Sequence, residues 1–258
     1  MNLVHHHRNS STHPTGYGFP DIALLGVTLA ADLGAGIPCL LQIAYDYPMA
    51  QNRSHAVMAQ RTEALDSRDD FPTPPWATRA LVNHVLKELG PFEYQSVLEP
   101  ACGAGYMARP LAESFGEVLA SDIHPYGFGS VRDYLAVPYE ANAVDWVITN
   151  PPFRLAEEFV IRSLFVARRG VAILARTVFI ESVGRYRNLF LRHPPWRFAQ
   201  FTERVPMVKG RVDRKATTAT GYAWLVWSKQ IETTDPALVW IPPCRKALEG
   251  DSDYSDRL

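Results

Sequence analysis

The sequence has few cysteines, no long apolar run and almost no net charge. Its three cysteines, Cys39, Cys102 and Cys244, lie far apart, so they indicate neither a disulfide framework nor a metal site. The longest apolar stretch, residues 22–31, is too short to span a bilayer. A net charge of -1 gives no overall attraction to nucleic acid, so any such attraction has to be local. We therefore expect a soluble, cytoplasmic protein without a metal or a membrane partner.

The 258 residues suffice for one large domain, and we divide them into three parts. Residues 1–65 mix Pro, Gly, Ser and His without sustained periodicity and are expected to form a poorly ordered extension. Met58 would be a sensible start for the following domain, so we hypothesise that residues 1–57 are dispensable or not translated. The alternative is an extension that contacts DNA or a partner. Residues 231–258 end in a polar run and are expected to form a loose tail.

Residues 66–230 alternate between strand and helix patterns. Short apolar runs predict strands at 96–98, 117–121, 144–149, 170–175, 197–201 and 222–227. Helical spacing of apolar residues predicts helices at 77–89, 106–115 and 155–167. Strands that alternate with helices predict an α/β domain, in which a mostly parallel sheet is covered on both faces.

A glycine-rich loop follows the first predicted strand. Gly103, Gly105 and Ala108 fit the spacing G-x-G-x-x-G/A, in which glycine permits a tight turn and a close approach to a ligand. Asp122 ends the next strand, where a carboxylate can accept both hydroxyls of a ribose. By itself this pattern leaves open a dinucleotide-binding dehydrogenase and a purely structural strand-to-helix turn.

Glu99 and Pro100 lie directly before this loop. A carboxylate at position 99 would repel the pyrophosphate of a dinucleotide but attract a cation. S-adenosylmethionine carries a sulfonium and an ammonium group and has no phosphate. Glu99 therefore favours S-adenosylmethionine over NAD, and the alternative is that Glu99 is a solvated loop charge.

The predicted strand at 144–149 runs into the tetrapeptide Asn150-Pro151-Pro152-Phe153. Consecutive prolines cannot donate backbone hydrogen bonds or continue a sheet, so the chain leaves the strand in a stiff, extended form. The side-chain oxygen of Asn150 and the carbonyl of Pro151 can each accept one N–H of an amino group and direct its lone pair. The ring of Phe153 offers a face on which a base can stack. The alternative is a stiff loop with a buried phenylalanine.

The motifs EPACGAG at 99–105, SD at 121–122 and NPPF at 150–153 together resemble the S-adenosylmethionine-dependent amino-methyltransferases. The segment FPTPPWATRAL at 71–81 resembles the one that precedes the glycine loop in N6-adenine DNA methyltransferases, and the whole chain is most similar to their small, prophage-type members. The resemblance covers residues 68–230. It implies the class I methyltransferase fold, which is a seven-stranded, mostly parallel, doubly wound and Rossmann-like sheet with an antiparallel last strand.

The resemblance also implies an activity and a role for each motif. The activity is methyl transfer from S-adenosylmethionine to an exocyclic amine, with adenine N6 in DNA as the expected target. The residues that would hold the target base are Asn150, Pro151, Pro152 and Phe153. The residues that would bind the cofactor are Thr73, Pro74, Glu99, Pro100, Ala101, Gly103, Gly105, Asp122 and Asp133. Among these, Asp122 would take the ribose and Asp133 the adenine amine, while Thr73 and Pro74 would lie near the methionine carboxylate.

Residues 185–215 carry a local excess of positive charge. Nine basic residues are opposed by Glu203 and Asp213 alone, which gives the segment a charge of +7. Trp196, Phe198 and Phe201 are interleaved, a mixture typical of phosphate contacts combined with base stacking. The residues expected to contact nucleic acid are Arg185, Arg187, Arg197, Arg204, Lys209, Arg211, Arg214 and Lys215. The alternative is a solvated surface with the aromatic residues in the core.

Other functions remain open on the sequence alone. An RNA adenine-N6 or guanine-N2 methyltransferase would need the same amine clamp. A protein glutamine methyltransferase also acts on a planar amide –NH2, although the basic segment weighs against it. A non-catalytic nucleic-acid-binding module would keep the fold without the chemistry. The recognition sequence, the strand state of the substrate and the oligomeric state do not follow from the sequence.

Overall fold

The computed structural model of the protein describes residues 69–254, so the extension predicted at 1–65 lies outside the described residues. The described part contains an eight-stranded sheet with the order β3-β2-β1-β4-β5-β7-β6-β8. The strands are β1 (Ser96–Glu99), β2 (Glu117–Asp122), β3 (Ser130–Val131), β4 (Val144–Thr149), β5 (Ala167–Arg176), β6 (Arg197–Phe201), β7 (Tyr222–Ser228) and β8 (Ala237–Ile241).

The sheet is parallel except for one strand. β7 lies between β5 and β6 and is antiparallel to both, whereas β8 is parallel to β6. The predicted fold class, a mostly parallel sheet with one antiparallel strand, is therefore confirmed. The sheet has one strand more than the seven expected, because β8 follows the antiparallel strand.

Helices cover both faces of the sheet, as the alternating sequence pattern predicts. The α-helices are α1 (Pro75–Ala80), α2 (Ala108–Ala112), α3 (Ala156–Val166), α4 (Val183–Arg185) and α5 (Arg245–Leu248). Helical turns continue α1 through Leu81–Val85 and Lys87–Leu89, so the helix predicted at 77–89 is present with altered winding in its second half.

Two apolar cores fix these helices on the sheet. On one face, Trp76 of α1 and Leu111 of α2 belong to the cluster that contains Trp146, Ile148 and Trp224 of the strands. On the other face, α3 contributes Phe159 and Val160 to a cluster with strand residues that include Val147, Ile173 and Leu225. The central strands β4, β5 and β7 are buried on both faces, which explains why they are nearly continuous apolar runs in the sequence.

The region after residue 230 differs from the loose tail that we expected. Ile241 of β8 is fully buried in the first core, and β8 pairs along its whole length with β6. The polar run that follows is also anchored, because Asp253 forms an ion pair with Arg79 of α1 at 2.7 Å. The polar composition of this region did not indicate that it would be ordered. Asp253 is a charged residue, and its burial is compensated by the ion pair with Arg79.

One edge of the sheet gathers the ends of several strands. The parallel strands β1, β2, β4 and β5 all end there, and the antiparallel β7 begins there, with Tyr222 opposite Arg176. In open α/β sheets, ligands bind outside this carboxyl edge. Within residues 69–254, no helix is long and apolar enough to cross a membrane.

Candidate active site

The predicted motifs meet at the carboxyl edge of the sheet. β1 lies between β2 and β4, so Glu99, Asp122 and Asn150 come from the ends of three adjacent strands. The segment 69–74 and the turn around Lys209 lie over the same edge, because Gly210 N–H donates to the carbonyl of Asp70 at 2.9 Å. The site is thus built from five parts of the chain that are separated in sequence.

Asp122 fastens the glycine loop to β2. Its Oδ2 accepts from the backbone N–H of Gly103 at 2.9 Å, and its Oδ1 accepts from the N–H of His124 at 2.9 Å. A carboxylate oxygen has more than one acceptor site, so both oxygens keep capacity for a further donor such as a ribose hydroxyl. The same carboxylate thus orders the loop and remains available to a ligand.

The two loop glycines have different surroundings. Both have positive φ, +50° at Gly103 and +81° at Gly105. A Cβ added at Gly103 would face open space, with its nearest neighbour, Asp70 Oδ1, at 3.9 Å. A Cβ added at Gly105 would lie 2.6 Å from the ring of Phe128. Gly103 therefore leaves room for a ligand to approach the backbone, whereas Gly105 makes room for Phe128.

Glu99 is a buried carboxyl group and not a solvated loop charge. It is 1% exposed, and its Oε1 accepts from the hydroxyl of Thr149 at 2.8 Å. Its Oε2 is buried without a hydrogen-bond partner among residues 69–254. Burial, reinforced by nearby Asp122, raises the pKa of Glu99 well above its ordinary value, although the hydrogen bond from Thr149 opposes this. The free oxygen suits a cationic ligand group that would supply the missing partner.

The side chain of Asn150 is oriented with its oxygen free. Its Nδ2 donates to the carbonyl of Phe71 at 2.8 Å and lies 3.9 Å from the sulfur of Met207. Its Oδ1 is buried and has no partner within the described residues. The amide nitrogen is thus occupied by the protein, while the oxygen is left as an acceptor for something else.

Phe153 is held from several sides. Its backbone N–H donates to Asp69 Oδ2 at 2.5 Å, and its ring lies 5.6 Å from the ring of Phe71. The guanidinium of Arg176 lies over the Phe153 ring, 3.9 Å from its centre. The face that a base could use is therefore not simply open, because a planar cation already covers part of the ring.

The remaining cofactor residues occupy different positions. Pro100 and Ala101 directly follow β1. Thr73 and Pro74 are buried just before α1, and the Thr73 hydroxyl has no partner in the described part of the chain. Asp133 is exposed, and its Oδ1 accepts from Leu135 N–H at 3.0 Å, as a turn residue does.

Arg197, one of the residues expected to contact nucleic acid, packs against other parts of the fold. It begins β6, in register with Val226 of β7, and its guanidinium donates to the carbonyl of Val85. It forms an ion pair with Glu88 at 2.5 Å and covers the ring of Trp196. A count of charges along the sequence cannot reveal that a basic residue has such partners within the fold.

The other basic residues lie in the connections after β5 and β6. Several have partners: Arg185 donates to Phe179 O, Arg204 to Ala219 O, Arg211 binds Asp213, and Arg214 binds Glu249 and Asp251. The exposed members are Arg187, Arg204, Lys209, Arg211, Arg214 and Lys215. The interleaved Trp196 and Phe201 are buried in the core, so these two aromatic side chains do not line a nucleic-acid surface.

Sequence analysis missed several residues at the site. Phe71, Met207, Arg176 and Tyr222 contact Asn150 or Phe153 directly or through one neighbour. Arg176 alone carried a usable signal, since it is a charged residue at the carboxyl end of the buried run GVAILAR.

Comparisons with known proteins give fold relatives at low identity. No protein-family profile and no curated protein matches the sequence. A "putative RNA methyltransferase" from Pyrococcus horikoshii is 19% identical, with 62% of this chain and 87% of that chain covered and a TM-score of 0.46.

Two further solved structures resemble this chain to a similar degree. A "modification subunit of a putative type I restriction enzyme" from Vibrio vulnificus is 15% identical, with 72% of this chain and 50% of that chain covered and a TM-score of 0.47. A "putative class I S-adenosylmethionine-dependent methyltransferase" from Listeria monocytogenes is 12% identical, with 68% of this chain and 67% of that chain covered and a TM-score of 0.49. At such identities, substrate and chemistry have to be inferred from the side chains of this chain.

Proposed function

We propose that this protein transfers the methyl group of S-adenosylmethionine to an exocyclic amino group, with adenine N6 in DNA as the substrate. The observation that carries the proposal is the amide of Asn150, whose nitrogen is bound by Phe71 O while its buried oxygen is free. A buried acceptor without a partner costs about 1–3 kcal/mol, so its retention is best explained by a donor that arrives with the substrate.

The glycine loop and its neighbours fit the proposed cofactor. Glu99 Oε2 would accept from its ammonium group, Asp122 would accept from the ribose, and Gly103 leaves space for the close approach. When bound, the cofactor supplies an electrophilic methyl group on a sulfonium. A dinucleotide fits less well, because the pyrophosphate would lie near two carboxyl groups.

Asn150 Oδ1 and the Pro151 carbonyl would each accept one N–H of the substrate amine. The lone pair of such an amine is delocalised into its ring, which makes it a poor nucleophile. Two acceptors draw the nitrogen towards a tetrahedral geometry, reduce the delocalisation and aim the lone pair at the methyl group. The new N–C bond would form as the bond between the methyl carbon and sulfur breaks, leaving a neutral thioether, and the nitrogen would then release one proton to solvent. The two oxygens also stabilise the positive charge that develops on the nitrogen before that proton leaves.

Aromatic and basic groups around the clamp favour a nucleic-acid base over a glutamine amide. Phe71 and Phe153 form an aromatic pair next to Asn150, and the guanidinium of Arg176 lies over the Phe153 ring. Exposed basic residues lie in the connection between β6 and β7, which starts and ends at the same edge of the sheet. Such residues position a phosphate backbone without reading its sequence. RNA remains the second candidate, because an RNA base presents the same amine.

The test compares Asn150→Ala with the matched exposed change Asn188→Ala. Purified variants receive tritiated S-adenosylmethionine with DNA, RNA or a glutamine-containing protein, and the labelled nucleoside or residue is then identified. Loss of one acceptor is expected to lower kcat by about 100-fold to 1,000-fold, while cofactor affinity stays within about 3-fold. Asn188→Ala should retain full activity. Unchanged turnover in Asn150→Ala would contradict the proposal that Asn150 holds the substrate amine.

A further inference from the structure

Arg176 joins two strands to the NPPF tetrapeptide. It is the last residue of β5, and its backbone pairs with Tyr222 at the start of β7. Its guanidinium lies 3.9 Å from the centre of the Phe153 ring, and its side chain is near the phenol of Tyr222, which is 4% exposed. Arg176 is thus held by the sheet at its backbone and by the Phe153 ring at its guanidinium, while it keeps partial exposure at the carboxyl edge.

The hydrogen-bonding capacity of Arg176 is not used up by the protein. Its Nε is buried without a hydrogen-bond partner among residues 69–254. Burial raises the pKa of the Tyr222 phenol, and nearby Asp69, which also accepts from the backbone of Phe153, adds to this rise while Arg176 opposes it. A guanidinium that stacks on a ring and keeps an unsatisfied N–H has the features of a ligand-binding arginine rather than of a structural ion pair.

We propose that Arg176 determines the substrate class of the site by providing the platform on which a flat heteroaromatic base stacks beside the amine clamp. This inference rests on the proposed function. The base would lie against the guanidinium plane, which is itself supported by Phe153, so that ring, guanidinium and base form one stack. A guanidinium plane accepts a nucleic-acid base in this way, whereas an aliphatic glutamine side chain gains little from it.

The planar shape of the arginine is the property to test. Lysine keeps the positive charge but has no plane, so Arg176→Lys separates stacking from attraction to a phosphate. Stacking contributes equally to the bound and the reacting substrate, so its loss should raise KM and leave kcat nearly unchanged. A merely structural role would instead change the unfolding midpoint and the affinity for S-adenosylmethionine.

The experiment measures methyl-transfer kinetics of the full-length chain on whichever nucleic acid the wild type methylates. Arg176→Lys is expected to raise KM for that substrate by about 10-fold, with kcat and the dissociation constant of S-adenosylmethionine within about 2-fold. Tyr222→Phe removes the phenol oxygen near the Arg176 side chain and should raise KM in the same direction by a smaller factor. The matched control is Arg168→Lys, an exposed arginine at the opposite end of β5 from the site, which should leave KM unchanged.

The outcomes separate this inference from the proposed function. Wild-type protein that methylates neither DNA nor RNA overturns the proposed function, and the inference fails with it. Wild-type transfer together with a normal KM in Arg176→Lys overturns the inference alone, because charge without a plane would then suffice. A parallel loss of kcat, cofactor affinity and thermal stability would also overturn it by assigning Arg176 to the framework.

Discussion

At the scale of single residues, burial of Glu99 couples the free energy of unfolding to pH. The raised pKa means that the folded protein holds the proton of Glu99 at pH values where the unfolded chain has released it. Above the ordinary value near 4.5, unfolding therefore releases a proton, and the free energy of unfolding falls as pH rises towards the folded pKa. A bound cation would relieve this cost by pairing with the carboxylate.

Glu99→Gln is expected to remove this pH dependence because an amide does not titrate. The free energy of unfolding without ligand should become flatter with pH above 4.5, and affinity for S-adenosylmethionine should fall about 10-fold to 100-fold with the lost charge-assisted hydrogen bond. Urea titrations over a pH series and calorimetric cofactor titrations measure the two effects. Exposed Glu140→Gln is the control. If the free energy of unfolding of Glu99→Gln depended on pH as it does in the wild type, the pH dependence would not come from Glu99.

At the scale of elements, the glycine loop is shaped by what lies opposite each glycine. Gly105→Ala should destabilise the fold by about 1–2 kcal/mol from positive φ and by a further ~1–3 kcal/mol from overlap with Phe128. Gly127→Ala has a similar φ of +80° but no atom within 4 Å, so it isolates the backbone cost. Unfolding midpoints of the two variants give the difference. Equal midpoints would show that Phe128 moves away freely.

The strands with the clearest sequence signal are those buried on both faces. VDWVIT and GVAILA are short, nearly continuous apolar runs, and they lie in β4 and β5. β3 was missed because it comprises two exposed residues, and β8 because an edge strand with exposed Leu238 and Trp240 does not read as core. Pattern reasoning thus finds the centre of the sheet and loses its edges.

The site, like the sheet, could be predicted only in part: residues in short local motifs could be named, whereas contacts between distant segments could not. Glu99, Gly103, Asp122 and Asn150 could be named because each lies in a short motif at the end of a predicted strand. The contacts of Asn150 with Phe71 and of Phe153 with Arg176 span 79 and 23 residues, respectively, so they depend on which strand ends are neighbours. That information is absent from any local window of sequence.

At the scale of the whole molecule, Arg79 ties the end of the described chain to its beginning. Its guanidinium binds Glu113 after α2 and Asp253 near the C-terminus, each at 2.7 Å, and also donates to Leu248 O. These two carboxylates raise the pKa of Arg79 further above its ordinary value. One partly buried cation therefore connects α1, α2 and the segment that follows β8.

Asp253→Ala is expected to lower the free energy of unfolding by about 1–3 kcal/mol, because it leaves a partly buried guanidinium with one carboxylate fewer. The neighbouring change Asp251→Ala removes a fully exposed carboxylate and should leave the unfolding midpoint unchanged. Chemical denaturation of both variants measures the two free energies of unfolding. If Asp253→Ala behaves like Asp251→Ala, the C-terminal segment does not contribute to the fold.

The position of β7 between β5 and β6 has a consequence for synthesis on the ribosome. A nascent chain that has not yet reached Tyr222 has both β5 and β6 but lacks the strand that joins them. The edge of β5 that pairs with β7 then stays unpaired until about fifty residues beyond Arg176 have been translated. During that interval the unfinished protein is most prone to aggregation. A stop codon before Tyr222 would leave this edge of β5 unpaired permanently.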